Sequence, residues 1–201
     1  MKKWISHLSE TKLAVARYPT LAGAIIGGAA ALSCCISNQY LAALFFSIGL
    51  LYIRIEKLWL FTGQIQNIRK KTITFPELIS GFFNNCVGVT FVFWFALVIF
   101  NYREDAAIKY VTTMNNKWIY SWLYYLFSGA FCGGLMTIAT DKNAPLFVSI
   151  LCVCAFILAG FNHSIADYFY LLCSFTRDNF FSWIWIVIGN FVGGWLVAVR
   201  D

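Results

Sequence analysis

The stretch AGFNHSIADYFYLL, residues 159–172, places a histidine and an aspartate inside an otherwise apolar run. Histidine changes its charge near physiological pH and can donate or accept a hydrogen bond. Asp167 follows His163 by four residues, so the two side chains would share one face of a helix. Such a pair could serve acid–base catalysis, or it could line a route for a polar or charged solute.

The chain that carries this pair has the composition of an integral membrane protein. Of its 201 residues, 60% are hydrophobic, 19% aromatic and 12% charged, and the mean hydropathy is +0.70. Soluble domains carry roughly a quarter charged residues, about twice the density found here. Because an ionisable side chain inside a membrane span is costly and usually functional, we expect His163 to lie on a transport pathway.

The sequence predicts neither an enzyme nor a metal, cofactor or nucleic-acid site. No nucleophile elbow, zinc motif or further polar cluster accompanies His163. The seven cysteines fall in apolar runs, where cysteine acts as a small hydrophobic residue. The pair Cys152-x-Cys154 lacks partners at zinc-finger spacing. The net charge of +6 is explained by cationic loops that orient a membrane protein.

Membrane spans are the elements that must position these residues. Windows of about 20 residues predict six spans, at 19–36, 40–56, 78–100, 118–140, 145–173 and 181–199. The fifth span is long and is interrupted by Gly160, Asn162, His163 and Asp167. The segment KLWLFTGQIQ after the second span starts apolar but is too short to cross the bilayer. We therefore predict one all-α transmembrane domain over residues 1–201.

Basic residues predict the orientation of these spans, because they are enriched in cytoplasmic segments. Six crossings put both termini on one side. If that side is the cytoplasm, its segments carry Lys2, Lys3, Lys12, Arg17, Arg69, Lys70, Lys71, Lys142 and Arg200, against Arg103, Lys109, Lys117 and Arg177 outside. We predict cytoplasmic termini and a location in the cell (inner or plasma) membrane. No cleavable signal peptide is evident at the polar start of the chain.

Two glycine-containing patterns occur twice in the same order. GAIIGG begins at Gly23 and GAFCGG at Gly129, 106 residues later. NCVG begins at Asn85 and NFVG at Asn190, 105 residues later. Small residues at such spacing are common in packed membrane helices, but two matched pairs at nearly one offset indicate an internal repeat.

An internal repeat of three spans must run with opposite polarity in its two copies. We predict a 3+3 inverted repeat, with one copy at about 18–100 and the other at about 117–200. Between the matched patterns lie the interrupted stretches LWLFTGQI and AGFNHSIA. Paired broken helices in inverted repeats mark a substrate site near the membrane midplane, so Thr62 and His163 should meet there.

The same stretches resemble the formate–nitrite transporter family. LFTG at Leu60, GFNHSIAD at Gly160 and GNFVGG at Gly189 are similar to the family motifs E-L-F-T-G, G-F-E-H-S-x-A-N and G-N-x-x-G-G. The resemblance covers all six predicted spans, although the chain is short for the family. It implies an aquaporin-like protomer, a homopentamer, and one pore per protomer for small monovalent weak-acid anions such as formate, nitrite, hydrosulfide, acetate or lactate.

The resemblance also implies roles for individual residues. The central histidine corresponds to His163, which an asparagine in the last span (Asn190) would hydrogen-bond and which would face Thr62. Apolar constrictions on either side of the histidine correspond to Phe46, Leu50, Leu60, Phe61 and Phe156. A lysine at the start of the fourth span, which attracts anions into the vestibule, corresponds to Lys117.

The chain departs from the family motifs at acidic positions. Asn162 replaces the glutamate before the histidine, Asp167 replaces the asparagine of the A-N pair, and Trp59 replaces the acid before L-F-T-G. Asn162 and Asp167 are therefore candidates for tuning transport. Loss of the glutamate predicts weaker coupling to protons, because a negative charge beside the route is removed.

One alternative is an aquaporin-like channel for a small neutral solute, which also uses an inverted repeat with two broken segments. Such a channel would have asparagine–proline–alanine pairs at the breaks. The prolines of this chain are Pro19, Pro76 and Pro145, and none lies at a break. An anion pathway is therefore the better interpretation.

Overall fold

The computed structural model of the protein describes residues 18–198, which form nine α-helices and no strand. The helices are α1 (Pro19–Cys34), α2 (Gln39–Ile55), α3 (Phe61–Arg69), α4 (Phe75–Tyr102), α5 (Glu104–Lys117), α6 (Trp122–Ala139), α7 (Leu146–Leu158), α8 (Ser164–Leu171) and α9 (Arg177–Val197). The prediction of an all-α chain is confirmed for this part. The basic residues Lys2, Lys3, Lys12, Arg17 and Arg200, used to predict orientation, lie outside it.

Seven of these helices fall in the six predicted spans, because α7 and α8 share the fifth. In the described range, α4, α6 and α9 are long and apolar enough to cross a membrane. Helices α1, α2 and α7 are also apolar but shorter, with 16, 17 and 13 residues. Their ends differ from the predicted bounds by a few residues, except in the fifth span.

The fifth predicted span, 145–173, is two helices rather than one. Helix α7 ends at Leu158, and Gly160 has a φ of 72°, a left-handed conformation that favours glycine. His163 is extended and precedes the first residue of α8. The interruption therefore covers 159–163, while Asp167, predicted to be part of it, lies inside α8.

A similar interruption follows α2. The helix ends at Ile55, Lys57 has a φ of 55°, and residues 58–60 are not helical. Helix α3 begins at Phe61, and its nine residues are too few to cross a bilayer. A non-helical segment followed by a short helix thus occurs after α2 and again after α7.

Helix α5 is an element that the sequence analysis did not predict. Its sequence, EDAAIKYVTTMNNK, mixes charged and apolar residues, so a hydropathy window misses it. It buries Ala106 and Tyr110. Its Lys109 Nζ donates to the carbonyl oxygen of Ser33, 2.7 Å away, near the end of α1. The cation thereby satisfies a carbonyl that the helix end leaves free.

Glycines bring the long helices into close contact in two pairs. Helix α1 packs on α4, and a Cβ added to Gly88 would lie 1.9 Å from the carbonyl oxygen of Thr20. Helix α6 packs on α9, and a Cβ added to Gly193 would lie 1.8 Å from the carbonyl oxygen of Ala130. No larger residue fits at these positions without moving a helix.

The short helices α3 and α8 lie among the long ones and position the site. Helix α3 packs on α4, α6 and α9, while α8 packs on α1, α4 and α9. Large apolar side chains of the outer helices are exposed; on α4 they include Phe83, Val87, Phe91, Trp94 and Phe95. In a chain of this composition such faces suit lipid or other subunits.

Candidate functional site

The starts of α3 and α8 meet in the interior. Thr62 Oγ1, in the first turn of α3, lies 3.0 Å from Nε2 of His163, the residue just before α8. Both side chains are buried, with exposures of 0% and 2%. The predicted contact between the two interrupted stretches is therefore present in the structure.

The surrounding hydrogen bonds fix which nitrogen of His163 carries its hydrogen. The backbone N–H of Ala166 donates to Nδ1 over 3.2 Å, so His163 is the N-cap of α8. Nδ1 must then be the unprotonated nitrogen. In the neutral ring the hydrogen is on Nε2, which donates to Thr62 Oγ1. The hydroxyl hydrogen of Thr62 is consequently free to point elsewhere.

Asn190 does not hydrogen-bond the imidazole, contrary to prediction. Its Oδ1 accepts from the backbone N–H of Ser164 at 2.8 Å, and its Nδ2 donates to the carbonyl oxygens of Asn162 (2.9 Å) and Gly129 (2.8 Å). The amide therefore holds the backbone on both sides of His163. It positions the ring through the main chain and not by touching it.

Asn85 makes the matching contacts at the other interruption. Its Oδ1 accepts from the backbone N–H of Phe61 at 2.8 Å, and its Nδ2 donates to the carbonyl oxygens of Trp59 (3.0 Å) and Pro19 (2.6 Å). The amide is fully buried. Because unpaired backbone groups are costly inside a membrane protein, each asparagine stabilises one non-helical segment.

An aromatic stack covers one side of the imidazole. The ring of Phe156 lies parallel to His163, with centroids 5.7 Å apart and an interplanar angle of 18°. Phe46 contacts Phe156 edge-on at 6.1 Å. Leu50 is buried in the same core. Of the predicted constriction residues on this side, the structure thus brings the two phenylalanines together beside His163.

The predicted constriction residues at α3 have different neighbours. Leu60 is buried, and Phe61 contacts Phe82 of α4 at 4.9 Å. Phe82 stacks on Trp183 at 5.5 Å, and the indole N–H of Trp183 donates to the carbonyl oxygen of Ser164 at 2.8 Å. Sequence reasoning missed both aromatic residues.

Helical spacing from the two asparagines could have found them. Phe82 precedes Asn85 by three residues and Trp183 precedes Asn190 by seven, so each ring lies on the same helix face as its asparagine.

Lys117 lies at the end of α5 and not at the start of the following span. Its Nζ is 2.9 Å from Asp167 Oδ1 and 2.9 Å from Asn162 Oδ1. The ammonium also lies 5.6 Å from the centroid of the Tyr170 ring. The cation is therefore mostly buried and paired with a carboxylate, instead of standing alone in water.

Comparison with known proteins decides the family. The model of the formate/nitrite transporter family matches residues 5–199 of the chain. The chain belongs to the formate/nitrite transporter family. A solved structure described as a "Pentameric formate channel with formate bound" has 19% identity and a TM-score of 0.73, covering 92% of this chain and 93% of its own.

A second solved structure, an "FNT family ion channel", has 20% identity and a TM-score of 0.73, covering 89% of this chain and 84% of its own. A comparison with curated protein sequences finds no match. At these identities the structural likeness establishes the fold. Membership of a transporter family, together with the apolar helices, makes the chain a multi-pass membrane protein.

The family acid before L-F-T-G is replaced by a buried indole. Trp59 is 3% exposed, and a Cβ on Gly81 would lie 2.0 Å from its ring. Only a glycine leaves room for the indole there. Its Nε1 has no hydrogen-bond partner among residues 18–198. The position thus holds an apolar ring that packs against α4.

No metal site is formed by the residues that the structure describes. No group of three or more histidine, cysteine or acidic side chains comes together among them. All seven cysteines are free. Four are buried and behave as the predicted small hydrophobic residues, whereas Cys173 is exposed.

Proposed function

We propose that each chain forms a pathway for small monovalent anions of weak acids, of which formate is the simplest. The observation that carries this proposal is the buried 3.0 Å contact between Thr62 Oγ1 and His163 Nε2, where two helix starts meet. The positive dipole ends of α3 and α8 meet at this contact, and a positive helix end favours an anion. The formate channel of similar fold supports the choice of solute.

The proposed mechanism uses fixed donors around a neutral imidazole. A bare anion in an apolar constriction is very costly, and we propose the Phe46–Phe156 pair beside His163 as part of that constriction. The Thr62 hydroxyl is free to donate, because Nε2–H of His163 supplies a hydrogen bond to its oxygen. Ala166 occupies Nδ1, so taking up a proton there would break the cap of α8.

The 3+3 inverted repeat with two broken helices is part of the proposal. Its support is that Asn85 and Asn190 make the same contacts at α3 and at α8. Each amide oxygen accepts from the N–H of the first residue of the short helix, and each amide nitrogen donates to the carbonyl oxygen two residues before that residue. In the proposed repeat, α2 and α3 together cross the bilayer once, and so do α7 and α8. With α1, α4, α6 and α9 this gives six crossings and an aquaporin-like protomer.

The repeat has a different register from the one that the glycine motifs predict. The Nδ2 donors of Asn85 and Asn190 also reach Pro19 and Gly129, which are 110 residues apart. An added Cβ on Gly88 would meet Thr20, and one on Gly193 would meet Ala130. Thr20 and Ala130 are also 110 residues apart. The matched GAxxGG motifs are 106 apart, so the motif alignment is offset by about one helical turn.

We further propose a homopentamer with one pathway per subunit, in the cell membrane and with cytoplasmic termini. The pentameric formate channel and the exposed apolar faces support the assembly. The excess of basic residues in the segments taken as cytoplasmic supports the orientation.

Flux into proteoliposomes tests this function. The purified protein is reconstituted into vesicles made permeable to K⁺ with valinomycin, and their swelling in the potassium salt of formate, nitrite, hydrosulfide, acetate or lactate, or in glycerol, is followed by light scattering. We expect formate to enter much faster than into empty vesicles, with glycerol as the neutral control. Entry of glycerol without entry of any anion would contradict the proposal.

A further inference from the structure

The three residues Lys117, Asn162 and Asp167 form a small buried network beside His163. In this chain the motif around the histidine reads G-F-N-H-S-I-A-D, whereas the family motif that it resembles reads G-F-E-H-S-x-A-N. The amide and the carboxylate therefore occur in reverse order. The reversal changes which position carries the negative charge that pairs with Lys117, because residues 162 and 167 both contact its ammonium.

Residues 162 and 167 both bind the ammonium of Lys117, so a carboxylate at either position could pair with it. Lys117 Nζ lies 2.9 Å from an oxygen of Asn162 and 2.9 Å from an oxygen of Asp167. An ammonium can only donate, so the amide of Asn162 must turn its oxygen toward Lys117. One carboxylate and one amide oxygen thus neutralise and solvate one buried cation.

The other polar groups of Asn162, in its side chain and its backbone, hold the segment before His163. Its Nδ2 and its backbone N–H both donate to Ser128 Oγ, at 2.6 Å and 2.9 Å. Its backbone carbonyl oxygen accepts from Asn190 Nδ2. Asp167, by contrast, is held through one oxygen, and its Oδ2 has no partner among residues 18–198.

We propose that Asn162 and Asp167 are an exchanged amide–carboxylate pair, in which each residue has the side-chain type that the family motif has at the other position. Both bind Lys117, and together they position the segment before His163. The net charge of Lys117, Asn162 and Asp167 is zero. The negative charge is not lost with the family glutamate. It has moved to α8, one turn beyond His163, and the position directly before the histidine is neutral. The effect on transport rests on the proposed function, whereas the effect on assembly does not.

A cycle of isosteric variants tests the exchange: Asn162→Asp, Asp167→Asn, and the two together. The first single variant leaves two carboxylates around one ammonium, and the second leaves none. The double variant again has one of each. Assembly and thermal melting of the oligomer in detergent are measured first, and formate entry into proteoliposomes second. Asp178→Asn, which neutralises an exposed carboxylate on α9, is the matched control.

We expect each single variant to lower the melting temperature or to prevent assembly, and to slow formate entry about tenfold where it assembles. The double variant should regain assembly and return formate entry to within about threefold of wild type. A double variant at least as impaired as the worse single variant would overturn the exchange. If the wild type does not conduct formate, the proposed function fails, and the melting data still decide the exchange.

Discussion

His163 is placed so that its two nitrogens have opposite roles. Nδ1 accepts the N–H of Ala166 and caps α8, while Nε2 donates to Thr62. A histidine that is fixed in this way acts as a permanent donor to Thr62. In the proposed pathway, the free hydroxyl hydrogen of Thr62 is the group that meets the solute.

Thr62→Val removes this hydroxyl at nearly constant volume. It leaves the buried Nε2–H without an acceptor, at a cost of about 1–3 kcal/mol, and it removes the donor offered to the anion. We expect formate flux to fall at least about tenfold, as loss of one such hydrogen bond implies. Thr62→Ser keeps the hydroxyl and should conduct nearly as wild type. Equal flux in the two variants would show that the hydroxyl is not used.

The two buried asparagines allow a sharper test of the interruptions. Asn85→Asp or Asn190→Asp would place a carboxylate oxygen against two backbone carbonyl oxygens that now receive Nδ2 hydrogen bonds. We expect each variant to lower the free energy of unfolding by at least about 2 kcal/mol, observed as a lower melting temperature.

The neighbouring Asn84 is the matched control for this change. Its Nδ2 donates to the carbonyl oxygen of Ser80 on a partly exposed face of the same helix. Asn84→Asp should shift the melting temperature far less. A shift as large as that of Asn85→Asp would mean that the two buried contacts of Asn85 are not the cause.

The sequence predicted the central contact but not how it is supported. Thr62 and His163 could be placed together because both interrupt apolar stretches in repeated positions. The partner of Asn190 could not be chosen from spacing, since an amide can bond an imidazole or a peptide group equally well. The sequence marks Lys117 as a candidate, yet its pairing with Asp167 depends on α5, whose mixed sequence does not predict a span.

At the scale of elements, close helix packing depends on single glycines. Gly193→Ala would push a methyl group into the carbonyl oxygen of Ala130, and Gly88→Ala into that of Thr20. These are backbone atoms and cannot rotate away. We expect each variant to lose about 1–3 kcal/mol of stability from overpacking, measured as a lower melting temperature of the purified protein.

Gly28→Ala is the control for these substitutions. Gly28 lies in α1, and an added Cβ meets nothing within 4 Å. Alanine also has the higher helix propensity. The variant should melt at or above the wild-type temperature, and a loss like that of Gly193→Ala would argue against the close contact of α6 and α9.

The end of α2 is tied to the connection between α6 and α7 by Arg54. Its guanidinium donates to Ser149 Oγ at 2.8 Å, to the carbonyl oxygens of Asp141 (2.6 Å) and Pro145 (3.2 Å), and to that of Ala144. Lysine cannot reproduce this fork of donors.

Arg54→Lys should therefore lower the melting temperature, with a cost of about 1–3 kcal/mol. Lys57→Gln, at an exposed position three residues away, should change stability by less than about 0.5 kcal/mol. If both variants melt alike, the guanidinium contacts do not hold the α6–α7 connection.

At the scale of the whole molecule, apolar side chains occur both inside and outside. The inner ones form a buried core, and the outer ones, such as Phe91 and Trp94 of α4, are more than 60% exposed in one chain. An outer apolar surface of this kind requires lipid or neighbouring subunits. Native mass spectrometry from mild detergent should give five copies per particle, and a monomer as the only species would contradict the proposed assembly.

The most direct measurement is formate entry into proteoliposomes that contain equal amounts of folded wild-type, Thr62→Val or His163→Leu protein. We expect rapid entry for the wild type and entry slowed at least about tenfold in both variants, with oligomers of unchanged size. Entry at the wild-type rate in both variants would show that the anion does not pass between these two helix starts.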